Sequence, residues 1–280
     1  MQNMPQNSPD RQAEVYMTAL TNEKYVPGVK ALKKSLEKVH SKHGLVILVP
    51  KSKEKVLRAV LEKNKIIDSY CFLCVKEDLA VEYPEDVHFE QHYWSNTFFK
   101  LCAADCTEFK KIILLDSDML IRHNIDHLFN KPHYSAAVAG QCANPEWVKL
   151  GSGLMVIEPS QAFFKKLTDS IRPAMYRRFH EGNNIGDQDV FQEAFMDWEN
   201  HPELLLPERY NCFFGLVRQV AEKEQIKLRD ISVIHFIGKE KPWSHGCFTL
   251  RNVRRCLSFV KHRKFFELKV FVEYLLLSAI

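Results

Sequence analysis

Several things are missing from this 280-residue chain, and each absence removes a class of protein. No apolar run is long enough to cross a bilayer: the apolar C-terminal stretch over 251–280 is broken by Glu267, Lys269 and Glu273, which excludes a membrane span. The opening "MQNMPQNSPDRQ" is polar and has no apolar core, so it does not read as a secretory signal. There are ten glycines and twelve prolines, but no Gly/Ser- or Pro-rich linker and no internal repeat. Charge of one sign is also scarce, with 39 Lys and Arg against 35 Asp and Glu. A net charge of +4 suits a phosphorylated substrate but is far from the basic stripe of a nucleic-acid binder.

The eight cysteines are too sparse in a chain this long for a disulfide scaffold, and with no signal they imply reduced thiols in a cytoplasmic protein. "CFLC" places Cys71 and Cys74 in a β-like run, where residues three apart point to opposite faces. No second Cys/His pair follows at finger spacing, so both read as buried structural thiols and no metal is assigned to them.

In the first half, strand and helix signals alternate. "AEVYMTAL" (13–20), "GLVILVP" (44–50), "DSYCFLCV" (68–75) and "KKIILL" (110–115) read as strands, the second and fourth as continuous apolar runs of the buried parallel kind. Between them, "TNEKYVPGVKALKKSLEKV" reads as a loop entering an amphipathic helix. "SKEKVLRAVLEKN" reads as a helix with Ser52 as N-cap, and "YWSNTFFKLCAADC" as a further helix. From about residue 131 the rhythm changes. Strands "HYSAAVAGQC" and "SGLMVIEPS" precede helices over 161–173 and 187–198 and a late strand "ISVIHFI". The expected fold is one α/β domain with a Rossmann-like, mostly parallel sheet and helices on both faces. The chain is divided into a disordered leader over 1–12, the domain over 13–248 and a C-terminal helical extension over 249–280.

Asp116 and Asp118 follow the apolar strand "KIILL" directly. Ligands sit beyond the carboxyl ends of strands in open α/β sheets, and two carboxylates at this spacing can face one side. Hard oxygen ligands suit Mg²⁺ or Mn²⁺ together with a substrate phosphate. A solvated turn would carry the same residues, so the pair alone does not decide.

The pair stands in a series: "TALTNEKY" (18–25), "FFKL" (98–101), "LLDSDMLIRHNIDHLF" (114–129), "GSGLMVIEPS" (151–160), "GDQDVFQEAF" (186–195), "LLPERYN" (205–211) and "HFIGKEKPW" (235–243). In its order and spacing the series resembles family 8 glycosyltransferases of the glycogenin and galactinol synthase kind, from about residue 13 to 245. The resemblance implies a GT-A fold, a divalent cation (usually Mn²⁺) and a UDP-sugar donor, with transfer that retains the anomeric configuration. It assigns Asp116, Asp118 and His235 to the metal. Lys241 and Gly238 would bind phosphate, and Lys100 would lie beside the diphosphate and sugar. Thr21, Asn22 and Tyr25 would hold uracil and ribose. Asp187 and Gln188 would face the sugar and the acceptor as catalytic residues with Lys100, while Ser117, Ser152 and Asn184 complete the donor-binding set. Each residue also has a structural reading: His235 as a core histidine, Tyr25 as packing, Asp187 as an N-cap for the helix beginning near Gln188. A carboxylate on the acceptor face could act as nucleophile or only steady an oxocarbenium ion.

Three departures from the pattern bear on substrate. Gly151 stands where the family carries a polar side chain toward the donor sugar. Asn184 replaces an aspartate, and an amide cannot serve as a base. The stretch after Asn211, "CFFGLVRQVAEKEQIKLRD", holds no tyrosine, so a separate polyol or saccharide acceptor is expected rather than self-glucosylation. A homodimer is left open. The tail reads as a helix docked on the domain, with its basic cluster solvated or meeting lipid or another protein. Two other readings compete. One is a degenerate transferase that only binds nucleotide-sugar or acts through its tail. The other is a haloacid-dehalogenase-like phosphatase, whose D-x-D would lie near the chain start rather than at residue 116.

Overall fold

The computed structural model describes residues 13–87, 92–244, 246 and 249–279, without side chains for 92–96. The leader expected over 1–12 lies outside the described residues. The strands are β1 (Glu14–Ala19), β2 (Leu45–Pro50), β3 (Cys71–Lys76), β4 (Lys111–Leu115), β5 (Met119–Ile121), β6 (Ser135–Ala137), β7 (Gly151–Ile157), β8 (Leu205–Leu206), β9 (Cys212–Phe213) and β10 (Val233–His235). The α-helices are α1 (Val26–Lys38), α2 (Glu54–Lys63), α3 (Gln161–His180), α4 (Asp187–Ala194), α5 (Val217–Lys223), α6 (Leu250–Lys261) and α7 (Phe265–Ser278).

Seven strands form the central sheet in the order β3-β2-β1-β4-β7-β6-β8. The first four run parallel, and β7 enters antiparallel to both β4 and β6. β2 is buried at every position, as a continuous apolar run between two helical layers requires. Alternate residues of each strand feed separate cores. Val15, Met17, Val46 and Leu48 pack with α3 and α4, whereas Tyr16, Leu45 and Ile47 pack with α1 and α2. Cys74 and Cys71 fall on these two opposite sides, as the strand period demands. A small sheet, β5-β10-β9, brings His235 beside Met119, immediately after the carboxylate pair. α7 closes this end, burying Phe271 and Tyr274 against Phe236 and Trp243.

Four local readings change. Ser52 is not an N-cap: α2 begins at Glu54, and the Ser52 hydroxyl donates to Asp78 at 2.5 Å. The helix expected over 161–173 runs on to His180 with Pro173 inside it, because Ala174 and Met175 beyond the proline are buried in the core. Residues His92–Asp105 form a 3₁₀ helix, and α4 stops at Ala194 rather than 198.

Candidate active site

β4 ends at Leu115, and the chain turns through Asp116, Ser117 and Asp118 before starting β5. β10 runs antiparallel to β5 with His235 opposite Met119, so the imidazole hangs over that turn. His235 Nε2 lies 3.0 Å from Asp118 Oδ1 and 3.6 Å from Asp116 Oδ2. The other ring nitrogen, Nδ1, is 2.8 Å from the amide oxygen of Asn211. That oxygen only accepts, so Nδ1 carries the proton and Nε2 is the atom turned to the carboxylates. With no cation present, Nε2 can carry a second proton and donate it to Asp118; a divalent cation among the three groups would take the neutral nitrogen together with the carboxylate oxygens. The three donor atoms all lie within 4.8 Å of one another, close enough for one cation to reach an oxygen of each carboxylate and the imidazole nitrogen. Asp116, Asp118 and His235 therefore fit a divalent metal ion.

A second group, Cys74, Cys106 and Glu108, also converges. It fits less well: the Cys74 neighbour and burial push the Cys106 thiol far up, against the thiolate a metal needs, and the Lys76 ammonium lies 3.6 Å from Glu108.

Two lysines bracket the carboxylates. Lys100, buried on the 3₁₀ helix, donates to Asp116 Oδ1 at 2.6 Å and to the Ser152 carbonyl at 2.6 Å. It also lies 3.5 Å from Asp187 Oδ2. Lys241 pairs with Asp118 Oδ2 and donates to the Phe236 carbonyl at 3.0 Å. Burial alone would lower the Lys100 pKa, but Asp116 and Asp187 outweigh it and keep the ammonium charged. Burial likewise pushes Asp118 up, yet His235 and Lys241 prevail and hold it well below the usual carboxylate range. Asp116 goes the other way: burial, with Asp118 and Asp187 nearby, raises it against the pull of Lys100 and His235. Three carboxylates thus face two ammonium groups and the His235 imidazole.

The remaining predicted residues divide into two groups. Ser152, Gln188 and Asp187 join the cluster: the Ser152 N–H donates to Gln188 Oε1 at 3.2 Å, and Asp187 opens α4 beside Lys100. Asp187 is not the N-cap expected of it. Gly186 holds that position, and its N–H is taken by Asp189 at 2.8 Å. Asn184 precedes α4, its carbonyl accepting from Arg178 at 3.2 Å. The second group lies on the loop after β1 and on the turns after β4 and β10. Thr21, Asn22 and Tyr25 follow β1, with Asn22 capping a short turn through the Lys24 N–H and the Tyr25 ring edge-on to Trp243 at 6.3 Å. Buried Ser117 sits between the metal-facing pair. Gly238 has φ +102°, a backbone shape that L side chains rarely adopt, in the exposed turn leading to Lys241.

Sequence reasoning missed Asn211, which is 1% exposed and forms the back wall of the site. A Cβ at Gly153 would meet Asn211 Nδ2 at 2.9 Å, and one at Gly151 would meet the Ala137 carbonyl at 2.9 Å. The glycine at 151 is thus a packing requirement of this backbone. Asn211 closes the stretch "LLPERYN", but nothing in its neighbours distinguishes it from an ordinary turn asparagine.

The model of Glycosyl transferase family 8 matches residues 17–247. The chain belongs to that family. It is 27% identical to glycogenin-1 of Caenorhabditis elegans over 239 residues, covering 84% of this chain and 51% of the relative, so it spans about half that protein's length. Galactinol synthase 6 of Arabidopsis thaliana is 26% identical over 272 residues, with 84% and 75% covered. Among solved structures, the galactosyltransferase LgtC in complex with donor and acceptor sugar analogs superposes with TM-score 0.53 at 16% identity, covering 84% of this chain and 91% of that one. The apo form of the glycosyltransferase GlyE of Streptococcus pneumoniae TIGR4 gives 0.55 at 18%, with 94% and 62% covered. The family 8 chain has the GT-A fold of these enzymes. Among its described residues, no helix is long and apolar enough to cross a membrane.

Proposed function

We propose that this family 8 protein is a metal-dependent retaining glycosyltransferase that moves a hexose from a UDP-sugar to a separate polyol or saccharide acceptor. The observation that carries this reading is the convergence of Asp116, Asp118 and His235 at the carboxyl end of β4, with Lys100 and Lys241 on the same carboxylates. A bound Mn²⁺ or Mg²⁺ would supply charge to the diphosphate of the donor. In transfer, the bond from the sugar C1 to the UDP oxygen breaks and a bond from C1 to the acceptor hydroxyl oxygen forms, the hydroxyl proton passing to the leaving diphosphate. Lys241, freed from Asp118, and Lys100 stabilise the charge that builds on that leaving group. Gly238 lets the loop backbone turn toward it, while Thr21, Asn22 and Tyr25 take the base and ribose. Asp187 and Gln188 face the sugar from the start of α4. With its Oε1 held by the Ser152 N–H, Gln188 keeps its amide hydrogens for a substrate hydroxyl. Asn184 and Ser152 complete the sugar contacts. The transfer domain is taken as 13–248, with 249–280 as an extension. The cytoplasmic placement draws support from the unpaired cysteines among the described residues.

The test is UDP release from a panel of UDP-sugars with Mn²⁺, with Asp118→Ala alongside. Slow hydrolysis of one donor that disappears in the variant supports the metal site and names the sugar. Calorimetry then measures whether UDP binds only when Mn²⁺ is present. UDP affinity unchanged by Asp118→Ala or by chelation removes the metal from the reading.

A further inference from the structure

Residues 249–266 carry Arg251, Arg254, Arg255, Lys261, Arg263 and Lys264, with no aspartate or glutamate among them. The whole chain holds 39 Lys and Arg against 35 Asp and Glu, so without these six the remainder has 33 against 35. The positive excess of the protein therefore sits in one segment, and outside it the chain is slightly acidic. Charge this localised marks a surface that meets something anionic.

The same segment exposes apolar side chains in a pattern. On α6, Leu250 is 77% exposed, Val253 52%, Leu257 61% and Val260 48%. Spacings of three, four and three residues put them in one stripe along the helix. Phe265, the first residue of α7, adds a ring that is 61% exposed. On a wheel of 3.6 residues per turn, the exposed Arg254 and Lys261 lie about 60–80° from the mid-line of that stripe. Arg263 and Lys264 are exposed in the turn that follows.

This stripe is not the face that docks α6 on the protein. The helix is held by its other side, where buried Asn252 donates to the carbonyls of Pro242 at 2.9 Å and Gly246 at 3.2 Å. Arg255 is spent there too, its guanidinium 4.7 Å from the centre of the Phe271 ring. Arg251 pairs with Glu240. A helix already anchored by one face still presents apolar side chains and exposed cations on the other.

We infer that the outer face of α6, with Phe265 and the turn after the helix, docks on an anionic lipid bilayer surface. A helix lying in the plane of a bilayer needs both features at once: apolar side chains to enter the acyl boundary and Lys or Arg beside them at the headgroups. A nucleic acid would use the cations and gain nothing from the leucine and valine stripe. A second copy of the chain would bring Arg254, Lys261, Arg263 and Lys264 against their own like charges, which opposes association. The inference stands on surface composition and does not rest on the donor chemistry.

The experiment is co-sedimentation of the full chain with vesicles of phosphatidylcholine alone and with about 30 mol% phosphatidylserine. Salt is set at about 0.1 M and about 0.5 M. Binding to the anionic vesicles at low salt, weak binding to the neutral ones, and a fall at high salt are expected. The double variant Arg254→Glu/Lys261→Glu removes two cations, each contributing about fivefold at an anionic surface, and should lower partitioning by more than tenfold. Val253→Glu/Leu257→Glu should lower it comparably. All four side chains are exposed, so circular dichroism and the melting temperature should match the parent. Absence of sedimentation with anionic vesicles overturns the inference, as does binding that both double variants leave intact. So does a concentration-dependent dimer in light scattering that Val253→Glu/Leu257→Glu abolishes, which would make the stripe a protein interface.

Discussion

Asn211 and His235 are joined by a buried hydrogen bond from Nδ1–H to Oδ1 at 2.8 Å. The parallel register of β9 and β10 sets the pair, with Cys212 beside Ile234 and Phe213 beside His235. This bond fixes which imidazole nitrogen faces the carboxylates, and partners of this kind change metal affinity by about 10- to 100-fold when removed. Asn211→Ala should therefore weaken Mn²⁺ binding by about that factor in titration calorimetry. Asn211→Asp keeps an acceptor for Nδ1–H and should lose less. Equal losses in both variants would mean that Asn211 only fills space between Gly153 and Met119.

Lys100 is the buried cation of the site, and its removal strands two acids. Replacing it with methionine keeps the volume but leaves Asp116, Asp187 and the Ser152 carbonyl without their shared donor. Breaking a buried pair in this way costs about 3–5 kcal/mol. Lys100→Met should melt well below the parent. Mn²⁺ should raise the melting temperature of the variant more than that of the parent, because the dication replaces the missing positive charge. A variant that melts lower but gains no more from Mn²⁺ than the parent would separate Lys100 from the metal-facing carboxylates.

Much of this arrangement could be read from the chain, and the reasons differ by element. β2 and β4 announce themselves as unbroken apolar runs because helices cover both faces of the sheet. Asp116 and Asp118 are visible because a turn straight after such a strand must lie at the ligand-binding edge. The small sheet is only partly legible: "ISVIHFI" announces β10, but β5 and β9 hold three and two residues, too few to show a period of two. Capping was misread where a competitor stood nearby. Asp78, twenty-six residues on, takes the Ser52 hydroxyl, and α4 starts at Asp187 itself, so Gly186 holds the cap position with its N–H bonded to Asp189. Asn211 was unreadable for a different cause: its role depends on a histidine brought beside it by strand pairing alone.

Asp126 makes stability depend on acid. Its carboxylate accepts from the Tyr16 hydroxyl at 2.7 Å, the Ser41 hydroxyl at 2.8 Å, the Lys42 N–H at 3.0 Å and the Asn124 amide at 3.1 Å. Burial pushes its pKa up, but these donors outweigh burial and bring it below the ordinary value. A depressed folded-state pKa gives stability that is present above the unfolded value, near 3.9, and is lost as pH falls through the folded one. Asp126→Ala should cost about 2–3 kcal/mol at neutral pH, on the scale of bonds to a charged acceptor. In urea unfolding, the gap between variant and parent should narrow at about pH 3. A gap that holds steady across that range would mean the carboxylate charge contributes nothing beyond its packing.

The acceptor is expected to be another molecule. The segment from Cys212 to Asp230 contains no tyrosine. Tyr210, just before it, is buried, and its hydroxyl is engaged by His127 at 2.9 Å. Attack by that oxygen would require pulling a packed ring out of the core beside β6 and β8. Incubation of the purified protein with UDP-glucose and Mn²⁺ should therefore leave its intact mass unchanged, while UDP accumulates once a suitable polyol or saccharide is supplied. Hexose found on any tyrosine of the chain would overturn this expectation, and peptide mapping would then show which hydroxyl the site can reach.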